Sequence, residues 1–447
     1  MPGIIIRGCG IVTMNASGEC LPQGEIRIDG DRLAYVGPPR EREADAAEEI
    51  DAAGLVALPG FVSGHHHLFQ SLLRGMAPDT DLREWLSACI LPTSPHFRPE
   101  DLYAGARLTL AECIESGVTS IVDWSFNLHG VEHAVATFEA MRDSGARVHF
   151  AYGPSLGAGW HDFDLRLDDF EAIRTRCFGP RPACDRITLW AGLAGPELQS
   201  EERFREEVAF ARERGCRIHL HLRENESFEP KDAAERMEAW GTLGPDVLLA
   251  HAIHLRDVDL DVLARTQTKV SYNALSNMRV ADGICRVVEL RERGVDVAIG
   301  LDGSASTDNN DFFALMRAAV GLQRARWLRG DCLTAEQVLR MATIEGARCL
   351  GQEDEIGSLE PGKKADLVLV DPHTLNFMPV NDFIPQLVFC GQPRNVDTVI
   401  VAGRVLKRRG ALVGVDIPSL VAAAQGAATR VTTAAAVRNG FRPLPYQ

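Results

Sequence analysis

Leu58-Pro59-Gly60-Phe61-Val62-Ser63-Gly64-His65-His66-His67 separates two kinds of pattern in this 447-residue chain. Before it come short β-rich runs at 4–7, 10–14, 24–29 and 32–36, broken by Gly, Asn and Asp, and then a return strand. After it, apolar strand-like runs alternate with helical stretches. The strands are expected at 119–123, 147–152, 187–193, 217–221, 247–251, 269–272 and 296–302. Helices are expected between them, such as 101–116, 130–145, 201–215, 230–241 and 283–294. Repeated strand–helix units argue for a parallel α/β architecture.

Beyond Thr334, read as an N-cap, a helix is expected over 335–350. A turn-rich segment then leads into a strand before 370, and further strands at 396–401 and 404–406 join through a tight Ala402-Gly403 hairpin. β-rich segments therefore flank the α/β region on both sides. The simplest arrangement is a small β-sandwich built from both chain ends (1–57 and 356–417) beside a barrel over 58–355. The Ala-rich stretch at 418–437 reads as a terminal helix, with the tail running to 447.

The formal charge of −15 repels phosphate backbones, so nucleic acid is not an expected partner. No apolar run reaches the roughly 18 residues that span a bilayer. MPGIIIRGCGIV lacks a basic n-region followed by a long apolar run, so it does not read as a signal peptide. Eleven scattered cysteines without a CxxC pair read as reduced thiols, which points to the cytoplasm.

Four clusters carry chemistry, each at the end of an expected strand: Gly64-His65-His66-His67, His219-Leu220-His221-Leu222-Arg223-Glu224, Leu249-Ala250-His251 and Leu301-Asp302-Gly303. Residues two apart on a strand point the same way, so His65 and His67 can share a metal while His66 faces elsewhere. Imidazole nitrogens with one carboxylate suit zinc or another first-row divalent ion. In a (β/α)8 barrel, strand ends converge at the C-terminal face, and the spacing of His221, His251 and Asp302 fits strands five, six and eight, with 269–272 as strand seven. A lone His such as His219 is more often a packed core residue. The ordered combination of clusters is what carries weight.

GEIRIDG (24–30), LPGFVSGHHH (58–67), AECIESGVTSIVD (111–123), HLHLRE (219–224), LLAHA (248–252), GLDGSAS (300–306), MATIEGARCLG (341–351), IGSLEPGKKADLVLVD (356–371) and VDTVIVAGRV (396–405) resemble the amidohydrolase superfamily over essentially the whole chain. The likeness is to its branch of aromatic-heterocycle deaminases and chlorohydrolases. The resemblance implies an α/β fold, a (β/α)8 barrel of TIM type with a β-sandwich at its side. It places His65, His67, His221 and Asp302 at the metal-ligand positions. Glu224 falls where the family has its proton-shuttling acid, and His251 where a His polarises the attacked group or the water. Two-metal members carry a carboxylated Lys after strand four. Here Ala194-Gly195-Pro196 follows that strand, so one divalent metal per chain is expected, zinc first and iron second.

The implied activity is hydrolytic deamination of an amino-substituted aromatic N-heterocycle. Hydrolytic dechlorination or cyclic-amide hydrolysis on the same scaffold is the alternative, and an inactive binding protein is the alternative of another class. Nucleoside-type relatives carry a His in a GPHAPY-like segment after strand four and HCPxSN after strand seven. This chain has Ala194-Gly195-Pro196 and Tyr272-Asn273-Ala274-Leu275-Ser276-Asn277. Its His65–Gln70 and Asp302–Ser306 stretches look more like the oxoguanine, pterin and triazine hydrolases. Gln70, Trp85, Trp160, Tyr272 and Asn273 are the candidate substrate contacts, the tryptophans for stacking on a flat ring. A homo-oligomer and a small heterocyclic substrate are the expected partners.

Overall fold

The computed structural model of the protein describes residues 3–41, 48–155, 163–179 and 184–437. Eight strands form one sheet in sequential order: Phe61–His66, Val118–Ser125, Arg147–Tyr152, Ile187–Leu193, Ile218–Leu222, Val247–His251, Lys269–Tyr272 and Val297–Ile299. Every pairing between neighbours is parallel. They are barrel strands one to eight. The ring closes where Leu301 donates its N–H to Ser63 Oγ (3.1 Å) and Asp302 donates its N–H to the His65 carbonyl (3.0 Å). Closure and the candidate ligands thus share residues. Strands buried on both faces explain the near-continuous apolar runs, such as Val-Leu-Leu-Ala at 247–250.

The helices expected at 101–116, 130–145 and 201–215 occur as Pro99–Glu115, Val131–Ser144 and Glu201–Glu213. Those expected at 230–241 and 283–294 are shorter, Ala233–Ala239 and Val287–Glu292. The helix expected over 335–350 breaks at Thr343, whose φ of −134° and ψ of −101° are not helical, into Ala335–Met341 and Ile344–Cys349. Thr334 caps the first piece, its Oγ accepting the Gln337 N–H.

Both chain ends contribute to a second, nine-stranded mixed sheet. Its order is Ala411–Leu412, Arg404–Arg408, Val396–Val401, Leu367–Val370, Val56–Pro59, Ile4–Val12, Cys20–Asp29 and Arg32–Gly37, with Glu48–Asp51 also on Ile4–Val12. The runs expected separately at 4–7 and 10–14 are one bulged strand. The strand Val56–Pro59 carries this sheet past residue 57 to the threshold of the barrel. The sheet curls on itself: Leu33 exchanges backbone hydrogen bonds with Lys363 and Gly362, and Arg32 bridges Lys364. Ile4, Ile6, Ile26, Ile28, Leu367, Leu369 and Ile400 fill the enclosed core. Val368 and Val370, on the opposite face of the same strand, pack into the barrel's core. One four-residue strand is thereby shared between two cores.

The terminal helix spans Ile417–Ala434 and lies on Pro99–Glu115, with Arg430 paired to the buried Asp101. The tail expected at 438–447 lies outside the described residues. No helix among the described residues is long and apolar enough to cross a membrane. All eleven cysteines are unpaired.

Sheet and barrel are also joined by a buried ion pair. Arg147, on barrel strand three, donates from Nε and Nη2 to Asp366 at 2.7 and 3.1 Å, and Asp366 also accepts the Ala402 N–H at 2.7 Å. Asp366→Ala strands a buried guanidinium, and the expected loss of stability is about 3–5 kcal/mol, read from the urea unfolding midpoint. A change below about 0.5 kcal/mol contradicts this role for the pair.

Candidate active site

The strand ends turn their functional side chains inward by unusual backbone geometry. Arg223, His251 and Asp302 have φ of 49°, 68° and 63°, left-handed values that residues with a Cβ seldom adopt. Each lies at or just beyond the end of a barrel strand, where the chain leaves the sheet. Such strain persists only where surrounding contacts fix it, and it concentrates at functional sites.

His65 Nε2 and His67 Nε2 each lie 3.3 Å from Asp302 Oδ1, and His67 Nε2 lies 3.3 Å from His221 Nε2. His65, His67 and Asp302 form one group able to hold a metal ion; His65, His221 and His251 form another that overlaps it. Bonds of 2.0–2.1 Å from a tetrahedral ion to nitrogen or oxygen put neighbouring donors roughly 3.3–3.4 Å apart. The observed separations match that edge length. The donors are thus spaced as a group that could hold a metal ion.

Outer partners leave lone pairs facing this point. His219 gives its Nδ1–H to the Leu248 carbonyl at 2.7 Å, so its Nε2 accepts from His65 Nδ1, also at 2.7 Å. His67 Nδ1 donates to the Trp124 carbonyl at 2.8 Å, and His251 Nδ1 to Asn277 Oδ1 at 2.8 Å. In each case the proton sits on Nδ1 and Nε2 is bare. Among the described residues, His65 Nε2 and His251 Nε2 have no hydrogen-bond partner. Burial holds His65 and His221 well below the usual imidazole range and lowers His67. Burial pushes the Asp302 carboxyl upward, but the surrounding imidazoles of His65, His67 and His251 outweigh it and hold the group well below its usual range. Asp302 also accepts from the Gly303 N–H (2.7 Å) and the Ser306 hydroxyl (3.0 Å). His66 faces away and meets Asn310 Oδ1 at 2.9 Å, as strand alternation requires.

Glu224 lies 3.4 Å from His251 Nε2. Burial, reinforced by the charges of Asp302 and Glu197, pushes its carboxyl well above the usual range. A protonatable acid thus stands beside a deprotonated one, the pattern that separates acid from base roles. Both face a cavity of about 120 Å³, with Leu82, Trp85, Trp124 and Phe228 among its apolar walls and Gln70 and Ser306 among its polar groups. A larger, open depression of about 760 Å³ runs along Glu201–Glu213 and meets none of these residues.

Of the expected substrate contacts, Gln70 and Trp85 line the cavity. Gln70 Oε1 is buried without a hydrogen-bond partner among the described residues, and Gly303 makes room for it, since a Cβ there would fall 1.8 Å from that oxygen. Trp85 is anchored by Nε1–H to the Ala305 carbonyl at 3.0 Å. Tyr272 and Asn273 are corrections. The Tyr272 ring is fully buried away from the cavity, its hydroxyl accepting from Gln323 Nε2 at 3.4 Å. Asn273 is buried inside the barrel, where it accepts from Ser271 Oγ at 3.0 Å and lies close to Gly300, and it does not line the cavity. Trp160 lies outside the described residues.

The sequence reading missed Trp124, whose indole packs edge-on against His221 with ring centroids 4.6 Å apart. Ending strand two at 123 rather than Ser125 hid it. It also passed over Asn277 and gave His219 no part in the site. Leu82, Leu86 and Ile90 line the cavity from an irregular segment after strand one that includes a π-helical turn, Leu86–Ile90, and has no periodicity to read.

Comparison with known proteins agrees with this architecture. The model of the amidohydrolase family matches residues 56–406. A 5-methylthioadenosine/S-adenosylhomocysteine deaminase of Moorella thermoacetica is 37% identical over 437 residues, covering 94% of this chain and 98% of the relative. The crystal structure of an adenosine deaminase from Xanthomonas campestris with bound zinc superposes with a TM-score of 0.86 at 26% identity, covering 96% of this chain and 98% of that one. The atrazine chlorohydrolase of Arthrobacter aurescens, complexed with zinc, gives 0.85 at 25% identity, covering 95% and 100%. With the family model spanning most of its length and a full-length relative well above 30% identity, the chain belongs to the amidohydrolase family.

Proposed function

We propose that this protein is a metal-dependent hydrolytic deaminase of an amino-substituted aromatic N-heterocycle, using one divalent ion, zinc before iron, held by His65, His67, His221 and Asp302. The observation that carries the reading is the set of 3.3 Å donor separations beside the buried Glu224–His251 pair, at the foot of an aromatic-walled cavity. The names of the relatives support the same chemistry.

An ion in this place supplies Lewis acidity that makes water a nucleophile near neutral pH. Asp302 accepts a proton from the attacking water, and the bare Nε2 of His251 accepts a hydrogen bond from it, steadying the developing charge. Glu224 delivers its proton to the ring nitrogen next to the attacked carbon and then takes back the remaining hydroxyl proton of the adduct, while Asp302 passes the water's first proton to the departing amine as the C–N bond breaks. Water and the amino-heterocycle become the oxo-heterocycle and ammonia. The apolar walls keep bulk water out, and Gln70 offers an amide to the ring's polar edge.

The cavity favours a bare ring system of oxopurine, pterin or triazine type. Its volume of about 120 Å³ is small beside the roughly 300–1,000 Å³ of ordinary ligand pockets. Ala194 lines it from the segment after strand four in which nucleoside-type relatives carry a His, and Leu198, Phe163 and Phe228 continue the apolar wall. A second reading, deamination of a 5′-modified adenosine, is favoured by the Moorella relative's name. Hydrolysis of a ring C–Cl bond is a third, favoured by the chlorohydrolase likeness.

Three outcomes are expected. Elemental analysis should find about one equivalent of zinc or iron per chain, lost in His65→Ala and His221→Ala; two tightly held ions per chain contradict the site. Glu224→Gln should keep its metal while kcat for ammonia release falls roughly 10²-fold or more, so near-normal turnover removes Glu224 from the chemistry. For matched pairs, kcat/KM should favour the free base over its nucleoside by about tenfold or more, because an unpaired ribose hydroxyl costs about 1–3 kcal/mol. Adenosine-type nucleosides outrunning every free heterocycle would establish the second reading instead.

A further inference from the structure

Glu197 is a buried carboxylate for which this chemistry has no task. It lies in the loop after barrel strand four, between Ala194 and Leu198, two residues that wall the cavity. Its side chain is 6% exposed. Both of its oxygens accept the backbone N–H of Arg223, at 3.1 and 3.2 Å. The Arg223 guanidinium lies 3.8 Å from the same carboxylate and donates to the carbonyls of Phe228 and His254. The Arg223 carbonyl in turn accepts the N–H groups of Ile253 and His254. Arg223 is thus gripped from the loops after strands four, five and six.

That grip acts on a strained turn. Left-handed backbone is disfavoured for a residue with a Cβ, and Arg223 holds it at φ 49°. The turn takes the next residue, Glu224, off the axis of strand five and sets its carboxyl 3.4 Å from His251 Nε2. We infer that Glu197 is a positioning residue for Glu224: its carboxylate holds the Arg223 N–H and so fixes the turn that delivers the proton-carrying side chain. Burial pushes Glu197 up to about 7 against the pull of Arg223. Ionised or protonated, it keeps an oxygen that accepts the N–H, so the grip does not depend on its charge.

The inference rests on reading Glu224 as the acid, and its test separates the two. Glu197→Gln keeps an acceptor at the same reach. Glu197→Asp keeps the charge but withdraws the acceptor by about 1.5 Å, one carbon–carbon bond. On the metal-loaded protein, hydrogen exchange of the Arg223 amide and steady-state ammonia release are measured for both. Glu197→Asp should speed exchange at Arg223 by about tenfold and lower kcat by about tenfold or more, with KM and metal content within about twofold. Glu197→Gln should stay within about threefold of the parent in every measure. An unchanged Glu197→Asp, or a Glu197→Gln that falls as far, overturns the inference. Glu224→Gln assayed alongside tells the failures apart. If it is inactive while Glu197→Asp is fully active, only the positioning role is lost; if it turns over normally, the acid assignment itself fails.

Discussion

Bare imidazole nitrogens and one carboxylate oxygen are pressed to 3.3 Å separations inside a buried volume, and the rest of the barrel's upper face is arranged to keep them there. Lone pairs brought this close repel, and the usual remedy, solvation, is denied by burial. A cation at the shared point turns the repulsion into coordination. Burial also lowers the proton affinity of the histidines, so the donors stay free for that cation near neutral pH.

Around the donors runs a second layer whose role is orientation. His219, the Trp124 carbonyl and Asn277 each take an Nδ1 proton and leave Nε2 facing inward. The closing contact of the barrel, from the Asp302 N–H to the His65 carbonyl, ties strand eight to strand one through two residues of the cluster. A displacement of either strand would open the cluster. The end sheet steadies the barrel's other side through the Arg147–Asp366 pair and the shared strand Leu367–Val370. The family's adjoining sheet is thus joined to the barrel through a common core.

What was legible in the sequence followed from periodicity and spacing. Strand alternation gave His65 and His67 a common face and sent His66 to Asn310. Strands three, four, six and seven of the barrel begin and end where the apolar runs do. Reading failed where local pattern carries no facing information. Tyr272 and Asn273 end a strand buried on both sides, so composition could not tell cavity from core, and both proved to lie elsewhere. His219 looked like a packed core residue and is one. It also takes a hydrogen bond from a residue 154 positions away, which no local motif records. The two chain ends were recognised as one β unit, but a single curled sheet depends on pairings such as Leu33 with Lys363, which only the fold brings together.

The central claim is that one ion sits among His65, His67, His221 and Asp302, within reach of Glu224 and His251. Anomalous diffraction at the zinc and iron absorption edges, from crystals of the protein as purified, tests it most directly. The account predicts one anomalous peak per chain, about 2.0–2.1 Å from nitrogen and oxygen donors of those four residues. Two peaks bridged within the barrel, or a single peak bound elsewhere with these residues left to one another, would contradict it.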